Sequence, residues 1–139
     1  MHKIEPYALW TGHAGDGRNF RAMFDLGIEA VVQLALEEPP LAPPRELLYF
    51  RFPLVDGAGN SAPVLELAIL TVSSLLQSRM GTLVCCSAGM NRSVVIAAAA
   101  LMKLEIGDLQ TAVGGRPADV SPGLWDEVAR ICRQYPQSA

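Results

Sequence analysis

Val84-Cys85-Cys86-Ser87-Ala88-Gly89-Met90-Asn91-Arg92-Ser93 joins two unlike patterns. Before it, Gly81-Thr82-Leu83-Val84 is a short apolar run after a turn signal and predicts a strand. After it, residues 94–104 are rich in alanine and leucine and predict a helix. A cysteine therefore closes a strand, a loop follows, and Arg92 stands where the helix begins. Five residues separate Cys86 from Arg92, which lets the loop curl around one tetrahedral anion.

Such a loop has specific physics. The backbone N–H groups of Ser87, Ala88, Gly89, Met90, Asn91 and Arg92 can point inward together, and the helix start adds unpaired donors and its positive dipole end. Gly89 permits a turn that a side chain would resist. Arg92 supplies a planar fork suited to two phosphate oxygens at once. The same field stabilises a thiolate, so Cys86 is expected to be a nucleophile. Ser93 can donate a hydrogen bond to that thiolate. A thiolate beneath a phosphate cradle points to phosphoryl transfer through a cysteinyl-phosphate.

These residues resemble the signature loop of the cysteine-dependent protein tyrosine phosphatase superfamily, in its dual-specificity branch. The pattern there is His-Cys-x-x-Gly-x-x-Arg-Ser/Thr, and every element matches except the histidine, which is Cys85 here. The resemblance implies hydrolysis of phosphotyrosine and phosphoserine/threonine in a protein or peptide, without metal or other cofactor. It also implies a general acid on a loop, and Asp56, in Leu54-Val55-Asp56-Gly57-Ala58-Gly59-Asn60 after a predicted strand, fits that place. Asp-Gly is also a plain turn signal. Because a histidine at position 85 would orient the loop, Cys85 leaves open a non-catalytic phosphopeptide-binding protein of the same fold. A phosphatase for phospholipid or RNA 5′-phosphate is a further alternative, as is a sulfurtransferase or arsenate reductase. The loop has no lysine, as a phosphoinositide phosphatase of this kind would.

The remainder of the sequence agrees with one α/β domain over residues 1–139. Strands are expected at 7–10, 30–34, 47–53 and 81–84, alternating with helices, which predicts a central, mostly parallel sheet of four to five strands flanked by helices. Ligands in such sheets bind at the carboxyl ends of strands, where Cys86 stands. Leu65, Ala68, Ile69, Val72, Leu75 and Leu76 form a helical stripe behind Ser61, and Ser121-Pro122 opens a last helix with Leu124, Val128 and Ile131 on one face. Residues 37–46 hold four prolines and read as a stiff connector, or as a polyproline ligand for a partner.

With 18% charged residues and a net charge of −3, the chain has no basic footprint for nucleic acid. Three cysteines, two of them adjacent, make no disulfide framework. The first residues lack the apolar core of a secretion signal, so a cytoplasmic protein without membrane contact is expected, and a monomer. His2 and His13 have no metal-ligand spacing and read as solvated. Cys85 should point to the face of its strand opposite Cys86 and serve packing rather than redox chemistry. Asp16 is the runner-up for the acid but reads rather as a helix cap, Arg116 reads as a brace for the loop, a second anion ligand or a partner of Asp119, and Asn60 and Asn91 read as turn or cap residues or as positioners of water or of the acid loop.

Overall fold

The computed structural model describes residues 1–135. Its strands are β1 (His2–Lys3), β2 (Leu9–Gly12), β3 (Ile28–Ala35), β4 (Leu48–Leu54) and β5 (Gly81–Cys85). The helices are α1 (Ala14–Gly17), α2 (Phe20–Asp25), α3 (Ala62–Gln77), α4 (Arg92–Lys103), α5 (Leu109–Val113) and α6 (Pro122–Cys132). The sheet order is β1-β2-β5-β3-β4, with β1 antiparallel and the other pairs parallel. This is the expected mostly parallel sheet with helices on both faces. β5, which ends at the signature loop, is a central strand.

Two apolar clusters sandwich the sheet. The larger packs Val32, Val84 and Cys86 against α3, α4 and α6. The smaller gathers Trp10, Met23, Ile28, Val31, Leu83 and Cys85 beneath α1 and α2. Period-two alternation along β5 thus sends Cys85 and Cys86 to opposite faces, as expected. Cys85 lies so close to Gly17 that a Cβ there would come within 2.8 Å of its sulfur. Burial, first of all, pushes its thiol up to about 12, with nearby anions adding to the effect, so it stays neutral.

α4 is buried from Arg92 to Leu101, which suits a helix apolar on nearly every side. Each larger aliphatic side chain there contributes about 1.5–3 kcal/mol of burial. The alanines between them let α3 and α6 approach closely. The Arg92 end of α4 is therefore held by packing along the rest of its length.

The strand expected at 7–10 is β2, and it begins two residues later than expected. Ile4 N–H donates to the Leu9 carbonyl at 2.8 Å, so residues 5–8 turn and pairing with β5 starts at Leu9. Asp16 is the third helical residue of α1 rather than its cap. His13 caps it, accepting from Asp16 N–H at 3.2 Å, and Asp16 accepts from His13 N–H at 3.0 Å. His2 is half-buried rather than fully solvated, with Nε2 out of contact with solvent, and burial first, then Arg116 and the terminal amine, lower its pKa.

Candidate active site

The loop between β5 and α4 is shaped by what holds its carbonyls. Ser87 C=O accepts from Ala14 N–H at 3.0 Å, Met90 C=O from Asp119 N–H at 2.9 Å and Asn91 C=O from Val95 N–H at 2.8 Å. Gly89 C=O accepts from Arg116 Nη2 at 3.1 Å. With these four carbonyls held by partners outside the loop, the N–H groups of Ala88, Met90, Asn91 and Arg92 in the same trans peptides point the opposite way. Among the described residues, no protein acceptor takes a hydrogen bond from the N–H groups of Ser87, Ala88, Gly89, Met90 or Asn91. Backbone amides left without a protein acceptor on one loop suit an anion.

Gly89 is required here on two counts. Its φ is +76°, and a Cβ would lie 2.8 Å from Gly12 C and 2.9 Å from His13 N, both backbone atoms. The loop packs directly on the turn after β2. Arg116 ties the two together, because its Nη2 also donates to Thr11 Oγ1 at 2.6 Å. Arg116 is thus the brace, and no ion pair joins it to Asp119 among the described residues.

Cys86 Sγ lies 3.4 Å from Ser93 Oγ, within hydrogen-bond reach for sulfur. The pair is buried, with Cys86 3% exposed. Arg92 is 1% exposed and turned inward. Its Nη1 and Nη2 donate to the two carboxylate oxygens of Glu37 at 2.7 and 2.6 Å, and Nη1 also donates to Leu54 C=O at 2.8 Å. This two-pronged pair fixes the plane of the guanidinium. Nε is buried and makes no hydrogen bond, with the nearest carboxylate oxygen, Asp56 Oδ1, at 3.6 Å. Burial alone would lower the Arg92 pKa, but the Glu37 hydrogen bonds and the surrounding negative charges outweigh it and raise it.

Asp56 is brought to the same place. Its Oδ1 accepts from Asn91 Nδ2 at 2.7 Å, and Asn91 Oδ1 accepts from Ser121 N–H at 2.8 Å. The Asp56 side chain is 59% exposed, at the rim. Cys86, Ala88, Met90, Asn91, Arg92, Asp56 and Asp119 line a hollow of about 50 Å³, against the roughly 30 Å³ a water occupies in the liquid. A much larger cleft, of about 570 Å³, lies at the opposite ends of the strands, among Tyr7, Arg79, Met80 and Ile106. Its lining residues include no cysteine, serine or carboxylate, so size alone does not single out a site.

Eight of the nine expected site residues therefore line the hollow or lie on the loop around it, and Ser93 stands in the first turn of α4 beside Cys86. Glu37 is the residue that sequence reasoning missed; it sits where a stiff connector was expected. That connector is pinned back: Gln33 Nε2 donates to Pro39 C=O at 2.8 Å and Arg51 Nη2 to Glu38 C=O at 3.3 Å. Ser87 Oγ reaches Glu37 Oε2 at 2.8 Å and Glu38 Oε2 at 2.9 Å. A signal existed, since Glu37 follows β3, the parallel neighbour of β5, at the same end of the sheet as Cys86.

The Arg92 hydrogen bonds hold the Glu37 carboxyl down at about 2, from an ordinary 4.5. The unfolded chain takes up this proton as pH falls through 4.5, whereas the native state resists until about 2. The pair thus stabilises the fold above pH 4.5 and loses that contribution between there and about 2. Glu37→Gln should flatten this part of the stability-against-pH curve in urea unfolding. The Glu37 side chain is 53% exposed, so water screens the pair and the change in slope is modest.

No protein-family model matches the sequence, and no curated protein matches it either. Solved structures do match. A crystal structure of human DUSP28 superposes with a TM-score of 0.83 at 22% identity, covering 96% of this chain and 96% of that one. DUSP15 gives a TM-score of 0.76 at 20% identity, over 96% of this chain and 88% of the other. A human tyrosine phosphatase-like serine/threonine/tyrosine-interacting protein gives 0.79 at 17% identity, over 97% of each. The chain has the fold of the dual-specificity phosphatases over nearly its whole length.

Proposed function

We propose that this chain hydrolyses phosphate monoesters through a phosphocysteine, as a dual-specificity protein phosphatase. The observation that carries the reading is the loop itself. Four of its carbonyls are held by partners outside the loop, its amides from Ser87 to Asn91 have no protein acceptor among the described residues, and Arg92 Nε makes no hydrogen bond and faces the Asp56 carboxylate at 3.6 Å. A phosphoryl group with three charged oxygens matches that set of donors.

In the first step Cys86 Sγ attacks phosphorus, a P–S bond forms and the P–O bond to the leaving group breaks. The electron pair goes to the departing oxygen, which takes a proton from Asp56. The amides and Arg92 stabilise charge on the equatorial oxygens. In the second step a water attacks phosphorus, gives its proton to Asp56 and displaces the thiolate. Ser93 Oγ donates to the sulfur as it leaves. Asn91 Nδ2 holds Asp56 by one oxygen, which frees the other to serve the leaving group. Asp56 and Met90, the latter 37% exposed, form a low rim that supports acceptance of phosphoserine and phosphothreonine beside phosphotyrosine.

Asp56→Ala should lower kcat on phenyl phosphate by about 10²-fold more than on dinitrophenyl phosphate, whose leaving group departs unprotonated. Equal losses would remove Asp56 from the role of leaving-group acid. The alternative is phosphopeptide binding without turnover, as Cys85 replaces the expected histidine. The assembly of Cys86, Arg92, Ser93 and Asp56 around one hollow favours hydrolysis.

A further inference from the structure

The acid loop is anchored from behind by a residue with no part in the chemistry. Gly59 N–H donates to Glu127 Oε2 at 2.9 Å, and Asn60 N–H donates to Glu127 Oε1 at 3.4 Å. Glu127 is half-buried, on the second turn of α6. The Asn60 side chain then spans the loop: Oδ1 accepts from Val55 N–H at 2.8 Å, and Nδ2 donates to Val55 C=O at 3.2 Å and Gly57 C=O at 3.0 Å. Val55 and Gly57 are the neighbours of Asp56. One turn earlier on α6, Gly123 lies so near the loop that a Cβ would come within 2.9 Å of Ala58 Cβ. At the start of α6, Ser121 N–H holds Asn91, which holds Asp56.

The same helix therefore grips the acid from two sides, through Ser121 and Asn91 on the carboxylate and through Glu127 and Asn60 on the backbone. From this geometry we infer that Glu127 is a positioning residue for the general acid, fixing the 55–60 loop so that Asp56 stays over the hollow. The inference rests on the reading of Asp56 above. Without the carboxylate, two loop N–H groups lose their acceptor and the Asn60 bracket loses its fixed base. The acid then samples positions away from the leaving oxygen, a loss felt only where a proton must be delivered.

The test is a leaving-group comparison in the full chain. Glu127→Ala should lose about tenfold more kcat on phenyl phosphate than on dinitrophenyl phosphate, a fraction of the range open to a general acid. Glu127→Gln, which keeps one acceptor oxygen, should recover most of the loss. Gly123→Ala, which pushes on Ala58 from the same helix, should show the same dependence. In an Asp56→Ala background, Glu127→Ala should add no further dependence on leaving group. Equal losses on both substrates, or a full additional loss in that background, would make Glu127 a merely structural residue and overturn the inference. If Asp56→Ala itself shows no leaving-group dependence, the assignment of the acid fails first, and this inference with it. If Glu127→Ala does not fold, the Gly123→Ala and Glu127→Gln results decide.

Discussion

Replacing Cys86 by serine is expected to lower kcat/KM for an aryl phosphate by about 10⁴-fold or more, as loss of a nucleophile does elsewhere. A hydroxyl does not ionise in this setting, and only the thiolate is a competent attacking group. The fold should survive, because the change is nearly isosteric and the new hydroxyl has Ser93 Oγ beside it, 3.4 Å from the present sulfur position. The anion cradle is also untouched, since its carbonyls are held by Ala14, Asp119, Val95 and Arg116. Cys86→Ser should therefore still bind phosphopeptide, and isothermal titration of that variant separates binding from turnover. Undiminished hydrolysis would remove Cys86 from the mechanism.

Arg92→Lys should cost about 10²–10³-fold in kcat/KM, mostly in kcat, although the charge is kept. The guanidinium does three things that an ammonium cannot do together. It meets both oxygens of Glu37, it meets Leu54 C=O, and it keeps Nε, without a hydrogen bond, on the side of the Asp56 carboxylate at the hollow. A lysine reaching Glu37 would turn its charge away from the phosphoryl group, and one reaching the phosphoryl group would leave Glu37 unpaired. Steady-state kinetics with a dinitrophenyl ester, which does not need Asp56, reads this loss separately from the acid. A lysine variant with unchanged kcat would show that Arg92 only shapes the loop.

The cradle was legible in the sequence because it is local. Cys86, Gly89, Arg92 and Ser93 sit within eight residues, and their spacing names a strand, a loop and a helix start at once. α3 and α6 were legible from their apolar stripes and from Ser121-Pro122, although Ser61 stands at the start of α3 without a side-chain bond. β1 was not, because two residues are too short to show alternation. Glu37 and Glu127 were hidden for another reason. Each reads as an ordinary surface charge, and each gains its role from a partner 55 or 68 residues away. Asp56 lay between these cases: its loop pointed to it, but the Asn91 bond and the Arg92 ion pair that bring it to the hollow beside Cys86 are not readable from sequence.

Passage of phosphate through the sulfur of Cys86 is the step on which the proposed hydrolysis depends. Its most direct test is rapid acid quenching of the enzyme during turnover of dinitrophenyl phosphate, followed by mass spectrometry of the digested chain. Phosphate should appear on the peptide carrying Cys86, forming as a burst with the released phenol and decaying with phosphate release. Release of phenol and phosphate in step, with no covalent phosphoenzyme, or phosphate carried by any other residue, would contradict it.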